Sequence, residues 1–535
     1  ALLVEWGPMG PGIRWEQSRA NLQAMVAPDF VGTLVITGFI ATDIHGLQTT
    51  LGRNGSDFSA SIFGSLLDAA EIIIWTDVDG VLSADPRLVP EAQVIDQLSY
   101  NEAMELAYFG AKVIHPSTMA PAVQKRIPIW IKNTFAAEKA GTLIHDRTAP
   151  DPLVKGITTI DKIALVNLEG AGMIGVPGTA HRLFGALREE GVSVILISQG
   201  SSEHSICCAV PLEQAQRAAD VVRGAFAREL EGGQIQSVEL DPDLAILAVV
   251  GDGMAGIPGI AGKVFEALGS AAVNVRAIAQ GASERNISVV AVSLKKKRAL
   301  RAVHASFYLS PHTLSIGVIG PGTVGRVLLD QIASQTARLQ RDFKLDLRVR
   351  GILASKKMLL SEKGVNLSAW QDEFAAATTP TDLAKFVEHV GADYLPHRVI
   401  IDCTASSEVA KHYAAWLAAG IHVVTPNKKA NSADLPSYRA LHEARRAGGS
   451  HYLYEATVGA GLPIIQTVRD LRETGDDVTS IEGIFSGTLA YLFNVYDGSR
   501  EFSDIVREAK QRGYTEPDPR DDLSGTDVAR KLIIL

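Results

Sequence analysis

Three rhythms of apolar and polar positions run along this chain of 535 residues. At the start, short apolar runs alternate with stretches of helical spacing. VGTLVITGFI predicts a strand and a turn, GSDFSASIFGSLLDAA a helix with a small, polar start, and EIIIWTDVDGV a buried strand entering an acidic turn. Strands alternating with helices predict an α/β layer. In the middle a pattern occurs twice, about 81 residues apart. Gly170–Gln199 reads GAGMIGVPGTAHRLFGALREEGVSVILISQ, and Gly251–Gln280 reads GDGMAGIPGIAGKVFEALGSAAVNVRAIAQ. Each copy predicts an apolar strand (IALVNLE; LAILAVV), a Gly/Pro turn, a helix, two further strands and a closing helix, a split βαβ unit of ferredoxin type. From Leu314 an apolar strand leads through G-x-G-x-x-G into a long helix, and VIIDCTA and IHVVTPNKK predict further strands. That order predicts a doubly wound dinucleotide fold. The expected domains are residues 1–148, 155–232, 240–306, 312–450 and 451–535 of an α/β multidomain protein.

Composition narrows the classes. Hydrophobic residues make up 46% and charged residues 21%, which excludes disordered, collagen-like and coiled-coil chains. With 51 basic and 60 acidic residues the net charge is −9, so no overall nucleic-acid footprint is present. Cys207, Cys208 and Cys403 make neither a CxxC pair nor a disulfide framework, which predicts a reducing compartment. No apolar run approaches the roughly 20 residues a membrane span needs. The chain opens on Ala1 without a signal-peptide pattern and closes on KLIIL inside an apolar helical pattern. It is expected to be a piece of a longer chain.

Candidate chemistry clusters at loops. In the glycine-rich turn, Gly320 permits the tight bend, Gly322 lets backbone approach a pyrophosphate and Gly325 allows close helix–strand packing. The next strand, LDLRVRGILAS, ends on Ser355, Lys356 and Lys357 rather than an acid. That favours a 2′-phosphate, hence NADP(H), with NAD(H) the alternative; the plain reading is a solvated turn. Arg53, Ser56 and Asp57 precede a helix and are either an anion site or an ordinary cap. Ser524 and Asp527 read as a capping box. Asp527 and Lys531 share a helical face, following Glu516, Asp518, Asp521 and Asp522 on a Pro-stiffened loop. That density is either a surface ion pair or a substrate site. The repeat is either a duplicated structural domain or a sensor pair whose turn glycines admit a ligand carboxylate to helix-start N–H groups.

Three resemblances carry this further. TTLGRNGSDFSA, WTDVDGVLSADPR, ELAYFGAKVIHP and KNTFAAEKAGTLI resemble aspartate kinase of the amino-acid kinase family. The resemblance implies that Arg53 and Ser56 bind aspartate, that Asp57 assists phosphoryl transfer, and that Thr76, Asp77, Arg87 and Lys112 surround ATP with its Mg2+. Leu82 stands where the family usually has Tyr. The family's N-terminal K-F/x-G-G-[TS] loop is absent, so this chain alone is expected to lack kinase turnover. The repeat resembles paired ACT domains, with Gln199 and Gln280 matching glutamines that bind threonine.

From about Leu314 the chain resembles homoserine dehydrogenase, through DCTA, HVVTPNKKAN, EATVGAGLP, GIFSGTLAY and GYTEPDPRDDLSGTDVARK. This implies Lys531 as catalytic acid/base with Asp527 orienting it. Glu516 and Asp522 would hold the substrate amino group, with Thr488 nearby and Lys428, less plausibly Lys429, near the reacting centre. Thr323, Val324, Thr404, Gly513 and Glu516 would line the cofactor. A monovalent cation, Na+ or K+, would sit at Glu455, Val458, Ala460 and Leu462, largely on carbonyls. The order of the three parts resembles the bifunctional aspartokinase/homoserine dehydrogenase family. It implies phosphorylation of aspartate, interconversion of aspartate semialdehyde and homoserine, amino-acid feedback and a homo-oligomer, cytoplasmic or plastidic. Two other readings stay open: an amino-acid-binding regulatory protein with inactive enzyme remnants, and a methionine-pathway isozyme with an unresponsive ACT pair. Retention of Arg53, Asp57, Glu516, Asp527 and Lys531 argues against the first.

Overall fold

The computed structural model describes residues 2–7, 10–27, 29–52, 55–109, 116–146, 152–310, 312–392, 394–516 and 518–535. It divides into two compact units, Ala1–Leu309 and Ser310–Leu535. Among the described residues no helix is long and apolar enough to cross a membrane.

The first unit holds three sheets. One orders its strands Gly10–Ile13, Leu3–Gly7, Ile40–Asp43 and Gln48–Thr50. A second orders Ile72–Thr76, Ile129–Asn133, Thr142–His145 and Gln97–Ser99. Two expectations for this part need correction. Val31–Phe39 forms no strand, and Val31 and Val35 are almost fully exposed. β-branched residues make a strand only where a neighbour pairs with them. Ile72–Thr76 is half buried rather than buried: Ile72 and Ile74 enter the core while Ile73 and Trp75 face out, the period-2 pattern of a one-sided sheet.

The third sheet is built from the repeat and is antiparallel throughout, in the order Leu196–Gln199, Ser205–Pro211, Gly156–Glu169, Ser237–Val250, Asn286–Val292, Val275–Gln280. Each copy supplies three strands and two main helices: Thr179–Glu189 and Ala215–Ala225 in the first, where a short helix Ala227–Glu231 follows, and Ile260–Ser270 and Lys296–Tyr308 in the second. The predicted element order is therefore realised twice. The copies join through their 14-residue first strands, and at the far edges Ser198 Oγ donates to Ile278 O at 2.9 Å. The second copy is also fastened to the preceding segment. Glu102 accepts from Asp252 N at 2.7 Å and Ser99 N at 2.8 Å, Asn286 Nδ2 donates to Glu105 at 2.8 Å, and Ser83 Oγ meets His304 Nε2 at 2.9 Å.

The second unit carries a six-stranded sheet in the order Met358–Leu360, Asp346–Leu353, Thr313–Ile319, His397–Asp402, His422–Val424, Tyr452–Leu453. Only its first pair is antiparallel. The chain leaves the central strand Thr313–Ile319 toward one side and returns on the other, so the strand order reverses between Thr313–Ile319 and His397–Asp402. Crevices at such reversals, outside the carboxyl ends of the strands, bind ligands. Phe386 is fully buried against Gly317 and Gly351, where an added Cβ would lie 2.9 and 2.6 Å from its ring. Beyond the sheet come helices Ile464–Glu473, Gly487–Val495, Phe502–Gln511, Pro519–Leu523 and Thr526–Ile534.

Candidate active site

The glycine-rich loop has the predicted geometry. Gly320 adopts φ 86°, and a Cβ there would meet Thr404 Cγ2 at 2.7 Å. A Cβ on Gly325 would lie 2.2 Å from Gly320 O, whereas a Cβ on Gly322 would meet nothing within 4 Å. The outer two positions are closed to any side chain and the middle one is open, the arrangement a pyrophosphate cradle requires. Thr323 and Val324 begin the helix Thr323–Phe343, and Val324 is exposed. The residues present thus fit a dinucleotide. At the end of the second strand Ser355 and Lys356 are exposed, but Lys357 Nζ donates to Ala375 O at 2.7 Å and sits over the Phe374 ring. Only one of the two lysines is left unengaged for a 2′-phosphate.

Far apart in sequence, the charged candidates converge. Lys428 Nζ pairs with Glu516 at 2.7 Å and Asp527 Oδ1 at 3.1 Å. Lys531 Nζ pairs with Asp527 Oδ2 at 2.6 Å and donates to Phe485 O at 2.8 Å. Asp522, buried, accepts from Glu516 N at 2.8 Å, and Thr488 Oγ1 donates to Tyr514 O at 2.6 Å. Asp522 and Thr488 therefore hold the shape of the loop that presents Glu516. Gly513, at φ 75°, turns the chain out of the Phe502–Gln511 helix into that loop. Burial alone would raise the Asp527 carboxyl, but the Lys531 hydrogen bond and the Lys428 charge outweigh it and hold the group below its usual range. Burial opposes the charge on Lys428, yet Glu516 and Asp527 overcome it and raise the ammonium's pKa. Lys428 is thus a fixed positive charge at neutral pH.

The capping box is not formed. The helix Thr526–Ile534 starts after Gly525, which sits in the left-handed region at φ 76°, with no side-chain cap. The Asp527 carboxylate is spent on the two lysines instead.

Beside the cluster lies a cavity of about 420 Å³ lined by Lys428, Lys531, Phe485, Val458, Ala460 and Leu462. Three of the four expected cation positions therefore border it. The fourth differs: both oxygens of Glu455 accept backbone N–H groups, from Ile465 and Gln466, each at 2.9 Å, capping the Ile464–Glu473 helix. Among the described residues no group of three or more His, Cys, Asp or Glu side chains could hold a metal. A cation at this place would rest on carbonyl oxygens, which suits a hard monovalent ion.

The kinase candidates are more dispersed. Ser56 and Asp57 lie in the first turn of Gly55–Leu66, where burial raises the Asp57 carboxyl. Thr76 Oγ1 donates to Asp77 at 3.2 Å. Arg87 forks onto Asp85 at 2.9 and 2.7 Å, so its guanidinium is engaged locally. Arg53 and Lys112 lie outside the described residues.

In the repeat, Gln199 and Gln280 end the two edge strands. Gln199 borders a cavity of about 410 Å³ with Asn167, Ser198, Asp241 and Arg276, drawn from both copies; Arg276 Nε stands 3.4 Å from Asp241. The turn N–H groups read as a carboxylate site are occupied from within. Glu203 accepts from Gly175 N at 2.7 Å and Glu284 from Gly256 N at 2.6 Å. Burial pushes the Cys207 and Cys208 thiols up to about 11 and about 12, away from thiolate chemistry.

Sequence reasoning missed Asp402, Tyr413, Thr425 and Asn427, which form a buried hydrogen-bonded group beneath Thr404 and Lys428. Asp402, Thr425 and Asn427 lie within the DCTA and HVVTPNKKAN motifs, whereas Tyr413, at the start of a helix, carries no signal in the sequence.

Known proteins show the same assembly. The amino acid kinase family matches residues 2–133, the ACT domain residues 166–226 and 247–307, the homoserine dehydrogenase NAD binding domain residues 320–455, and homoserine dehydrogenase residues 463–535. A chloroplastic bifunctional aspartokinase/homoserine dehydrogenase 1 from Zea mays is 53% identical over 94% of this chain and 55% of its own length. A bifunctional aspartokinase/homoserine dehydrogenase from Haemophilus influenzae is 42% identical over 100% of this chain and 65% of its own. The aspartate kinase of Clostridium acetobutylicum superposes with a TM-score of 0.52 at 29% identity, covering 57% of this chain and 69% of that one. The chain spans little more than half the length of the plant relatives it matches. On these matches the chain is similar, over nearly its whole length, to bifunctional aspartokinase/homoserine dehydrogenases, and its segments match the amino acid kinase, ACT and homoserine dehydrogenase families in that order.

Proposed function

We propose that the Ser310–Leu535 unit interconverts L-aspartate 4-semialdehyde and L-homoserine with NADP(H). The observation that carries this is the Lys428–Asp527–Lys531 cluster, with Glu516, in the same unit as a glycine loop that fits a dinucleotide. A nicotinamide dinucleotide held at the glycine loop would supply or accept the hydride. Lys531, held between Asp527 and Phe485 O, gives its proton to the alkoxide oxygen as the aldehyde is reduced. Lys428 stays charged and stabilises that oxygen electrostatically. Glu516 takes the substrate ammonium, while Asp522 and Thr488 fix its loop. Ser355 and Lys356 select the 2′-phosphate, and carbonyls of the 455–462 turn take Na+ or K+. Lys531→Ala should lower kcat by orders of magnitude with cofactor affinity unchanged; an unchanged kcat overturns the assignment.

The Ala1–Leu309 unit belongs, on this proposal, to an aspartate kinase in which Arg53 and Ser56 take aspartate and Asp57 assists phosphoryl transfer. Thr76, Asp77, Arg87 and Lys112 surround ATP–Mg2+. Its repeat senses an amino acid, threonine, through Gln199 and Gln280. Opposite charges on Arg276 and Asp241 beside Gln199 suit a zwitterion. Calorimetry with threonine tests this, and absence of heat at millimolar threonine counts against it.

A further inference from the structure

Asp402 is fully buried at the end of the strand His397–Asp402, one strand away from the glycine loop. Three donors converge on its two carboxylate oxygens. Thr404 N donates to Oδ1 at 2.8 Å, Asn427 Nδ2 donates to Oδ2 at 3.1 Å, and the Tyr413 hydroxyl donates to the same Oδ2. Its backbone carbonyl accepts from Thr425 Oγ1 at 2.8 Å. Burial, with Asp402 beside it, pushes the Tyr413 phenol far up, so that hydroxyl remains a donor.

The partners lead to two places. Thr404 packs against the glycine loop: its methyl stands where a Cβ on Gly320 would go, and its Oγ1 accepts from Ser406 N at 3.1 Å. Asn427 directly precedes Lys428. Its Nδ2 also donates to Ser406 O at 2.9 Å, its Oδ1 accepts from Lys429 N at 3.0 Å, and its N donates to Thr425 Oγ1 at 2.9 Å. One carboxylate therefore ties the turn beside the glycine loop to the turn that carries Lys428. A buried carboxylate is costly unless its oxygens are satisfied. Here every assigned contact is a donor belonging to one of those turns or to the tyrosine behind them.

We propose that Asp402 is a positioning residue for the dehydrogenase reaction, setting the cofactor-side turn through Thr404 and the Lys428 turn through Asn427. It touches neither substrate nor cofactor itself. The proposal rests on reading this unit as a dinucleotide-dependent dehydrogenase. An asparagine keeps the shape but replaces one acceptor oxygen with an NH2, which must face Thr404 N or the Tyr413–Asn427 pair, donor against donor. Both turns should then shift together.

The test uses the full-length protein, unsubstituted and as Asp402→Asn and Tyr413→Phe. NADPH affinity is read by nicotinamide fluorescence and kcat at saturating NADPH, both normalised to the fraction that binds cofactor. Asp402→Asn should weaken NADPH binding and lower kcat, each by about ten-fold, the scale of one lost buried hydrogen bond to a charged group. Tyr413→Phe, which leaves both amide contacts in place, should move both in the same direction by about three-fold. It carries the test where Asp402→Asn does not fold. Unchanged affinity and unchanged kcat per competent molecule, with only the melting temperature lowered, overturn the proposal and leave a purely structural aspartate. Failure of the unsubstituted protein to bind NADPH overturns the dinucleotide reading itself, and this proposal with it.

Discussion

Gly251 and Gly170 open the same turn in the two copies of the repeat, and Gly259 and Gly178 precede the following helices at φ 90° and 92°. Their surroundings differ. Around Gly170 the turn rests on its own copy's end: Gly172 N donates to Gln234 O at 2.9 Å. Around Gly251 it rests on Leu153–Val154, and Glu102 from the preceding segment holds Asp252 N. The last helix of the second copy adds the buried Ser83–His304 contact and an Arg301 Nε bond to Leu88 O at 2.6 Å. The first copy instead presents Gln199 to two cavities, of about 410 and about 390 Å³. A duplicated backbone has therefore been put to two uses. The turn and last helix of the second copy mount the segment before it, whereas Gln199 of the first copy borders two cavities, one of them shared between the copies.

Substitutions can break that contrast, beginning with the mount. A Cβ on Gly251 would lie 2.2 Å from Leu153 O, a backbone atom that cannot give way. Gly251→Ala should cost about 3 kcal/mol or more in chemical denaturation. Gly256→Ala, at φ 73° in open space, should cost only about 1 kcal/mol. Equal costs would mean the turn is not seated as described.

Acid should act on the mount next. Burial lowers His304 to about 4 from 6.5, so the folded state disfavours its protonation while the unfolded chain accepts it. Its contribution is complete above pH 6.5 and is lost as pH falls toward 4, on the order of 3 kcal/mol in all. A stability–pH profile of His304→Gln should lack that limb. If it keeps the limb, the loss arises elsewhere.

Glu102→Ala strands one buried and one partly buried N–H group and should cost about 2 kcal/mol. Amide exchange should speed up at Asp252–Met254 and not at Ala171–Met173, the matching turn of the first copy. The smallest effect sharpens the functional side. Gln199→Ala should weaken threonine binding about ten-fold by calorimetry, and Gln280→Ala by about three-fold. Equal losses would show that the two cavities beside Gln199 confer no advantage.

Elements set by near neighbours in the chain are legible in the sequence. The strand, glycine loop and helix from Thr313 to Phe343 depend on neighbours in the chain, as does the Asp527–Lys531 pair one helical turn apart. The Lys428–Glu516 pair spans 88 residues and was reachable only through family resemblance. Asp402 escaped notice because its role lies in partners 11 and 25 residues on, which no periodicity reveals. The capping box failed for a local reason: Gly525 can enter the left-handed region, which frees Asp527 for the lysines. Val31–Phe39 failed for the opposite reason, since strand propensity without a pairing neighbour leaves an extended, exposed run.

The shared sheet has a consequence for biosynthesis. Gly156–Glu169 pairs over its second half with Ser205–Pro211, but its other edge waits for Ser237–Val250, which emerges about 80 residues later. At roughly 5–20 residues per second that interval is about 4–16 s. During it, the first copy presents a 14-residue strand with one unpaired edge, a template for pairing with other chains. Along that strand, Asp161, Lys162 and Glu169 are the charged residues that would discourage such pairing until the second copy arrives.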